Sequence, residues 1–442
     1  MAEVIVIRGG LAGLAATAAL AGAGHHVRLL EARPFLGGRA TSYEVGGAGG
    51  SSDAETIDNC QHILLRCCVN LLDFYKRMGV ENEIEFHREF VFLEPGGRAS
   101  VLRAGVFPAP LHFTGAFAGL RFLNLGEKVA VARAIRAIGR DAKRTDLDSF
   151  TMQAWLEKQR QPKRAIDRFW RQVLVSAINE ELDRMAAAHG FQVFRLGFLA
   201  RKDSYEMGVP AVPLGRLYSS DAWKRIGNVE IRLRAPVSRI VIRESAVQCA
   251  IVDDEEVRGD YYVSALPFER LASVAPELAI DVSAFEHSPI TGIHLWFDRQ
   301  VTDLPHATLL DRTIQWMFNK HQGRYVQLVV SASRSLTEMP RADVIALGVK
   351  ELTEFFPAVR GARLEKAHVV KEVRATFSAK PGLEKLRPSA RTAIRNLVLA
   401  GDWTKSGWPA TMEGAVRSGY LAAEAVTVAA GSPKRFLLPD IA

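Results

Sequence analysis

Residues 4–14 read VIVIRGGLAGL, and one acidic residue, Glu31, closes the apolar run that follows. The segment from Glu3 to Ile7 is short, apolar and β-branched, which is typical of a strand that is buried on both faces. After the glycines, the alanine- and leucine-rich stretch Leu11–Ala23 predicts a helix, and Val27–Leu30 predicts a second strand. The first 31 residues therefore predict a βαβ unit.

The glycines of this turn have separate physical roles. In a dinucleotide-binding fingerprint, three glycines make the tight turn, admit a pyrophosphate to the backbone, and let helix and strand pack closely. Gly10 and Gly13 occupy the second and third positions, whereas Arg8 occupies the first. Glu31 can accept hydrogen bonds from ribose hydroxyls and would repel a 2′-phosphate. The order of strand, glycines, helix and acid favours a bound adenine dinucleotide over a buried turn without a ligand.

Two further blocks indicate which dinucleotide binds. In EARPFLGGRATS (31–42), a second glycine turn precedes Arg39, whose guanidinium can bind phosphate oxygens or the flavin region. Near the other end, LAGDWT (399–404) can place Asp402 on ribityl hydroxyls. PATMEGAV (409–416) then begins a helix whose N-terminus can stabilise negative charge on a reduced flavin.

Together these motifs resemble the FAD-dependent amine oxidase and phytoene desaturase superfamily over about Val4 to Val426. Within it the sequence is most similar to the squalene-associated branch, the hydroxysqualene dehydroxylases. Six segments carry the narrower likeness: DNCQHILLRCC (58–68), PLH (110–112), PAVPLGRLY (210–218), SPITGIHLWFDR (288–299), QWMFNK (315–320) and GDWTKSGWPATMEGAVRSG (401–419). The sequence departs from the family at two positions, because Arg8 and Cys60 stand where glycine is usual.

The resemblance implies an α/β fold with a discontinuous Rossmann-like FAD-binding domain and a substrate-binding domain that carries a helical insertion. The implied FAD-binding segments are 1–85, 211–285 and 386–442, and the implied substrate-binding segments are 86–210 and 286–385. The residues that it implies around FAD are Gly10, Leu11, Ala12, Gly13, Glu31, Ala32, Gly37, Gly38, Arg39, Val237, Gly401, Asp402, Thr411, Met412 and Glu413.

The reaction that the resemblance implies is the reductive removal of the hydroxyl of hydroxysqualene, a long-chain isoprenoid, to give squalene. His62 is the first choice for the proton donor, because imidazole changes charge near neutral pH. Asp58 and Gln61 would orient His62 or the substrate. The residues expected to line the substrate pocket are His112, Gln315 and Trp316. The electron donor is left open.

Three other functions fit part of the pattern. A carotenoid-type desaturase or a flavin amine oxidase would use the same flavin oxidatively. A non-catalytic prenyl-binding protein, like the Rab GDP-dissociation inhibitors, would share the fold, and Arg8 is the feature in its favour. The Gly-Asp turn at 401–402 and the helix from Met412 argue against it, since a prenyl binder needs no flavin site.

Composition excludes several classes of protein. Of 442 residues, 48% are hydrophobic and 24% are charged, a balance that rules out global disorder, collagen and coiled coil. The four cysteines show no metal-ligand or disulfide spacing, which favours a reducing, cytoplasmic setting without a bound metal. The formal net charge of +8 is dispersed and accompanies no nucleic-acid-binding motif.

One segment suggests a membrane surface. No apolar run reaches the length of about 18–20 residues that would cross a bilayer. Residues 101–125 are nevertheless rich in aromatics and proline, and a predicted helix follows that carries Arg133, Arg136, Arg140, Lys143 and Arg144. We expect residues 101–144 to contact anionic headgroups peripherally, at the inner face of the membrane. The simpler reading is a solvated helix beside an ordinary core segment.

Overall fold

The structure is a computed structural model that describes residues 1–46 and 54–441. Its strands are β1 Glu3–Ile7, β2 His26–Glu31, β3 Ser42–Val45, β4 Glu55–Asp58, β5 Leu64–Leu65, β6 Ile84–His87, β7 Phe90–Leu93, β8 Ala99–Leu102, β9 Met207–Pro210, β10 Val229–Leu233, β11 Val237–Arg243, β12 Ala246–Val252, β13 Glu255–Val257, β14 Tyr261–Ser264, β15 His287–Phe297, β16 His306–Leu309, β17 Trp316–His321, β18 Tyr325–Ser331, β19 Leu364–Phe377 and β20 Leu397–Leu399. Its helices are α1 Leu11–Gly22, α2 Val69–Met78, α3 Thr114–Ala118, α4 Leu125–Asp141, α5 Met152–Lys158, α6 Lys163–Ala165, α7 Arg171–Ile178, α8 Ala187–Gln192, α9 Leu214–Leu217, α10 Ser220–Ile226, α11 Phe268–Val274, α12 Arg341–Phe355 and α13 Met412–Ala429. Two π-helical turns, Ile166–Trp170 and Val193–Leu199, adjoin α7 and α8.

A parallel sheet in the order β10-β2-β1-β14-β20 forms one centre of the fold. Its middle strand β1 is an unbroken apolar run, and Val4, Ile5 and Val6 are fully buried. Helices α1 and α13 pack against each other and on this sheet. Because both faces of the sheet are covered, a continuous β-branched run is the sequence that the central strand requires.

A larger sheet of seven strands forms the second centre, in the order β19-β15-β18-β17-β16-β7-β8. Neighbouring strands are antiparallel except for the parallel pair β16 and β7. Helices α4 to α8 and the π-helical turns build an aromatic layer beside it, in which Trp155 contacts Phe191 and Trp170 contacts Phe194, each pair with ring centroids 4.9 Å apart.

The five parallel strands lie in the chain segments expected to bind FAD, and the seven strands of the larger sheet lie in those expected to bind substrate. A small three-stranded sheet, β5-β9-β6, lies where the two sets of segments meet. The fold is therefore of the α/β class, and the strands of its parallel sheet come from separate segments of the chain.

At three places the local sequence pattern and the structure differ in detail. The amphipathic pattern of residues 64–78 predicts a helix, but Leu64 and Leu65 pair as a strand with Met207 and Gly208 before α2 begins at Val69. The β-branched residues of 229–243 predict strand, and they form two strands in different sheets, because the backbone turns between β10 and β11. The helical pattern of 169–188 predicts a helix that instead ends at Ile178, where Asn179 adopts a left-handed φ of 58°. In each case the break comes from tertiary pairing or a backbone turn, which hydrophobic periodicity alone does not record.

No helix among the described residues is long and apolar enough to cross a membrane.

Candidate active site and cofactor cleft

Two glycine turns touch each other at the end of the parallel sheet. The N–H of Gly37 donates to the carbonyl of Gly9 at 2.8 Å. A Cβ atom at Gly38 would lie 2.9 Å from the Cα of Gly10, a contact that no larger residue tolerates. Helix α1 begins directly after Gly10, without a capping side chain and without an acid in its first turn. The free N–H groups of this helix therefore face a backbone cradle that suits a phosphate.

Arg8 lies in this turn with a φ of 90°, a backbone conformation that favours glycine. Its N–H donates to the carbonyl of Leu30 at 2.8 Å, which keeps the strand register into the turn. Burial lowers the pKa of the Arg8 guanidinium, and the charges of Arg33 and Arg39 act in the same direction, whereas Glu31 opposes them. The chain thus places a large, partly buried cation at the tightest point of the cradle.

Gly13 meets the same turn from α1. A Cβ atom at Gly13 would lie 2.0 Å from the carbonyl oxygen of Arg8, so this glycine is required for α1 to pack on β1. Leu11 and Ala12, which complete the first turn of the helix, are buried. The predicted helix–strand contact is therefore present even though the first glycine of the fingerprint is replaced.

Glu31 is buried at the end of β2, and backbone groups hold its carboxylate. One oxygen accepts from the N–H of Gly9 at 2.7 Å and the other from the N–H of Arg33 at 2.8 Å. The carbonyl of Glu31 also accepts from the N–H of Ala235, two residues before the buried Val237 that begins β11. The structure thus brings the predicted acid, Ala32 beside it and Val237 to one edge of the cradle.

Arg39 and Asp402 come from opposite ends of the chain and form an ion pair of 2.6 Å. Arg39 also donates to the carbonyl of Ala375 at 2.8 Å. The charge of Asp402 raises the pKa of Arg39 in spite of the burial, which acts to lower it. The N–H of Gly401 donates to Ser418 Oγ at 2.8 Å, which ties the Gly-Asp turn to α13. Two predicted cofactor residues are thereby in direct contact.

The N-terminus of α13 carries the last three predicted cofactor residues. Thr411 caps the helix by accepting from the N–H of Gly414 at 3.0 Å. Met412 lines the cavity described below. Glu413 is buried and caps α2, because its two oxygens accept from the N–H groups of Asn70, at 3.2 Å, and Leu71, at 2.7 Å. Burial raises the pKa of Glu413 to about 7, against these N–H donors.

The loop after β4 carries the predicted catalytic residues. Asp58 is buried and accepts from Ser42 Oγ at 2.7 Å and from the N–H of Leu214 at 2.9 Å. The amide of Gln61 lies 3.5 Å from the carbonyl of His62, and His62 Nδ1 lies 3.0 Å from the carbonyl of Cys60. Burial lowers the pKa of His62. Asp58, Gln61 and His62 therefore lie in one loop, where the ring of His62 is held by the backbone carbonyl of Cys60.

Cys60, the second departure from the family pattern, is buried in this loop. Its backbone has no left-handed φ, so the position accepts a side chain without strain. Burial raises the pKa of its thiol to about 12, which keeps the thiol neutral. The backbone of this loop is therefore compatible with a side chain at position 60.

An apolar cavity runs from the N-terminus of α13 into the larger sheet and encloses about 1100 Å³ of empty space, counting the part open to solvent. One end is lined by Met412 and Glu413 with Cys67 and Cys68. The walls are otherwise mainly hydrophobic, and the residues that form them include Ile63, Leu64, Phe90, Phe92, Leu102, Val193, Leu196, Phe198 and Trp316. The polar residues among them are Gln172, Ser176, Gln192, Thr308 and Thr411. Such a cavity suits a long hydrocarbon chain.

The expected pocket residues lie at different depths. Trp316 lines the cavity, and its Nε1 donates to Ser176 Oγ at 2.8 Å. Gln315 does not line it, because its amide exchanges hydrogen bonds with the backbone of Ser331. His112 lies behind the wall, where its ring packs on Phe113 with centroids 4.2 Å apart.

Sequence reasoning missed three features of the site. Lys320 of β17 reaches the loop of Asp58 and Gln61, although it stands in the quoted segment QWMFNK. Cys67 and Cys68 line the cavity, and the sequence shows only that these two cysteines are adjacent, which does not predict a place in a cavity wall. The π-helical turn Val193–Leu199 forms a cavity wall, and nothing in its apolar composition distinguishes it from an α-helix.

We expect Glu413→Gln to destabilise the protein. The amide nitrogen of glutamine cannot accept, so one N–H at the start of α2 loses its partner, which costs about 1–3 kcal/mol. The melting temperature at pH 8, above the raised pKa, should fall by several degrees. Glu85→Gln, at an exposed position of β6, is the control and should leave it unchanged. Equal melting temperatures for all three proteins would show that the cap contributes nothing.

We expect Arg8→Gly to raise the amount of FAD that remains bound after purification. An arginine at φ 90° costs on the order of 1–2 kcal/mol of backbone strain, and its partly buried side chain adds bulk beside the cradle that glycine lacks. Flavin released by denaturation measures occupancy and shows that attachment is non-covalent, and added FAD should raise the melting temperature more in the variant. Equal occupancy and equal stabilisation in the two proteins would contradict the strain argument.

Comparison with known proteins agrees with this geometry. Residues 11–427 match the family of flavin containing amine oxidoreductases. A chloroplastic/chromoplastic 15-cis-phytoene desaturase of an Oncidium hybrid cultivar is 27% identical, with 96% of this chain and 77% of the relative covered. The 15-cis-phytoene desaturase of Synechococcus elongatus is 26% identical, with 96% and 95% covered. The crystal structure of an oxidoreductase from Methanosarcina mazei, 19% identical, superposes with a TM-score of 0.72 over 94% of this chain and 98% of that one. The chain therefore belongs to the flavin containing amine oxidoreductase family, and FAD is its cofactor.

Proposed function

We propose that this FAD-dependent oxidoreductase acts on a long isoprenoid and removes the hydroxyl of hydroxysqualene to give squalene. The observation that carries the proposal is the apolar cavity that ends on Met412, at the helix expected to lie against the flavin. A hydrocarbon chain gains most from such walls, because each buried methylene contributes about 0.8 kcal/mol.

The residues of the cleft fit FAD. The glycine cradle leaves no Cβ in the space beside the uncapped N-terminus of α1, where the pyrophosphate would bind. Glu31 would hold the ribose, and Arg39 with Asp402 would hold the central part of the cofactor. When bound, FAD supplies a ring that gives or takes two electrons with a hydride.

The hydroxyl of hydroxysqualene is allylic, so its loss as water leaves a delocalised cation that a hydride can quench. Hydroxysqualene and reduced FAD then yield squalene, water and oxidised FAD. The protein must exclude bulk water, fix the chain and provide one proton. The hydrophobic walls exclude water and fix the chain. For the proton, the candidates are the polar residues Asp58, Gln61 and His62, whose loop leads directly into the wall residue Ile63.

A second candidate is desaturation of a carotenoid precursor, because the relatives named above are phytoene desaturases. The same cavity accepts either chain, and the flavin would then take electrons rather than supply them. The two reactions differ in the redox state of flavin that the substrate consumes.

Anaerobic mixing separates these candidates. Reduced enzyme mixed with hydroxysqualene should regain the yellow colour of oxidised flavin and form squalene. Oxidised enzyme mixed with phytoene should keep its colour. Bleaching of the oxidised enzyme by phytoene, with no reaction of the reduced enzyme with hydroxysqualene, would replace the first candidate by the second.

The expected membrane segment presents an apolar and basic surface. Val106, Phe107 and Leu125 are exposed by 88%, 55% and 78%. The exposed face of α4 begins with the apolar residues Leu125 and Val129 and continues with arginines. The exposed basic residues of the segment that form no ion pair are Arg121, Arg133, Arg136 and Lys143. We propose that this surface docks on anionic lipid at the inner face of the membrane, where the substrate is dissolved. Phe113 links it to the cavity, since its ring lies 6.1 Å from Phe198.

Replacement of Arg133, Arg136 and Arg140 by glutamate should weaken binding to liposomes that contain anionic lipid, and salt should weaken binding of the wild type. Co-sedimentation measures both effects. The matched control replaces Arg258, Arg299 and Arg363, which are exposed elsewhere on the surface, and should bind as the wild type does. Binding that responds to neither change would remove the proposal.

A further inference from the structure

Lys320 connects the larger sheet to the loop of Asp58 and Gln61. It stands near the end of β17 in the larger sheet, and its Nζ lies 2.9 Å from Gln61 Oε1 and 3.7 Å from Asp58 Oδ2. Its side chain is only 19% exposed and that of Asp58 only 4%. A lysine that is buried to this extent needs a carboxylate partner to remain charged, and Asp58 is that partner.

Asp58 is itself firmly held. Its Oδ1 accepts from Ser42 Oγ and from the N–H of Leu214, so the carboxylate cannot turn away from Lys320 without leaving both donors unpaired. Gln61 is fixed by the same ammonium group. Lys320 therefore ties β17 to this loop through both Gln61 and Asp58.

His62 is poorly arranged to donate a proton. Its Nδ1 lies 3.0 Å from the carbonyl of Cys60, and because a carbonyl only accepts, the ring proton is on Nδ1. In the neutral ring Nε2 is then an acceptor. Burial lowers the pKa of His62; Lys320 and Arg39 add to this effect, while Asp58 and the hydrogen bond to Cys60 oppose it. At neutral pH the ring holds no proton to give from Nε2.

The strand that carries Lys320 also lines the cavity. Trp316 of β17 lines the cavity and stacks on Phe318 with ring centroids 5.5 Å apart. The pairing of β17 with β18 is irregular between Asn319 and His321, and Lys320 lies at this irregularity. Its amine reaches the loop of Asp58 and Gln61, which continues into the cavity wall at Ile63.

We propose that Lys320, rather than His62, holds the proton that this cluster delivers to the departing hydroxyl. The inference rests on the proposed dehydroxylation. The allylic C–O bond breaks, one proton leaves the ammonium group of Lys320, and the hydroxyl departs as water. The carbon receives the hydride that bound reduced FAD supplies, and the resulting amine regains a proton from solvent.

Removal of the amine tests this directly. The rate at which hydroxysqualene oxidises the reduced flavin is measured in single turnovers against pH. In the wild type it should fall as pH rises through the pKa of Lys320, which burial places below 10.5. Lys320→Ala should lose on the order of 100-fold in rate or more. Added methylamine should restore part of the loss in proportion to its ammonium form, and Lys320→Arg should shift the fall to higher pH.

Two controls make the result specific. Lys366→Ala removes another lysine of the larger sheet, paired with Glu55, and should show neither the loss nor the rescue. His62→Gln should keep the fall at high pH. A readout without turnover is the NMR titration of lysine side chains in the FAD-loaded protein, where Lys320→Arg should delete one signal that titrates below 10.5.

The outcomes are distinct. A wild-type enzyme that does not react with hydroxysqualene overturns the proposed function and this inference with it. A reactive wild type whose rate and pH profile survive in Lys320→Ala overturns this inference alone. A folded Lys320→Ala protein that binds flavin, loses activity and is not restored by methylamine also overturns this inference alone. The role of the lysine would then be structural and not that of a proton donor.

Discussion

The close contact of the two glycine turns is the constraint on which the rest of the site depends. A Cβ atom at Gly38 would lie 2.9 Å from the Cα of Gly10, so the backbones can meet only while position 38 lacks a side chain. The contact brings the second glycine turn to the N-terminus of α1. Arg39, the next residue, forms the ion pair with Asp402 that joins the two ends of the chain.

Arg8 shows how far that constraint extends. The carbonyl of Arg8 lies where a Cβ of residue 13 would be, so the turn is closed on three sides by α1, β2 and the second glycine turn. A side chain at φ 90° is therefore strained, yet the strand register through Leu30 is kept. The backbone hydrogen bonds of the turn do not require a glycine at position 8, so the fold forms with arginine there.

Local sequence was sufficient for the first βαβ unit, since β1, α1 and β2 lie within one or two residues of their predicted bounds. It was also sufficient to predict that the two glycine turns and the Gly-Asp turn belong to one cleft, where Arg39 contacts Asp402. It was not sufficient for Lys320, because its partnership with Gln61 depends on the register of β17 opposite a loop about 260 residues away in sequence. Glu413 was expected at the cofactor, but its carboxylate caps α2, a contact that only tertiary structure shows.

We propose that the apolar cavity ending on Met412 holds the isoprenoid beside the flavin. The most direct measurement is a crystal structure of the FAD-loaded protein with squalene bound. We expect continuous density for the chain between Met412 and Trp316, with the flavin ring at the Met412 end. Density for the chain outside this cavity, or a flavin ring remote from α13, would contradict it.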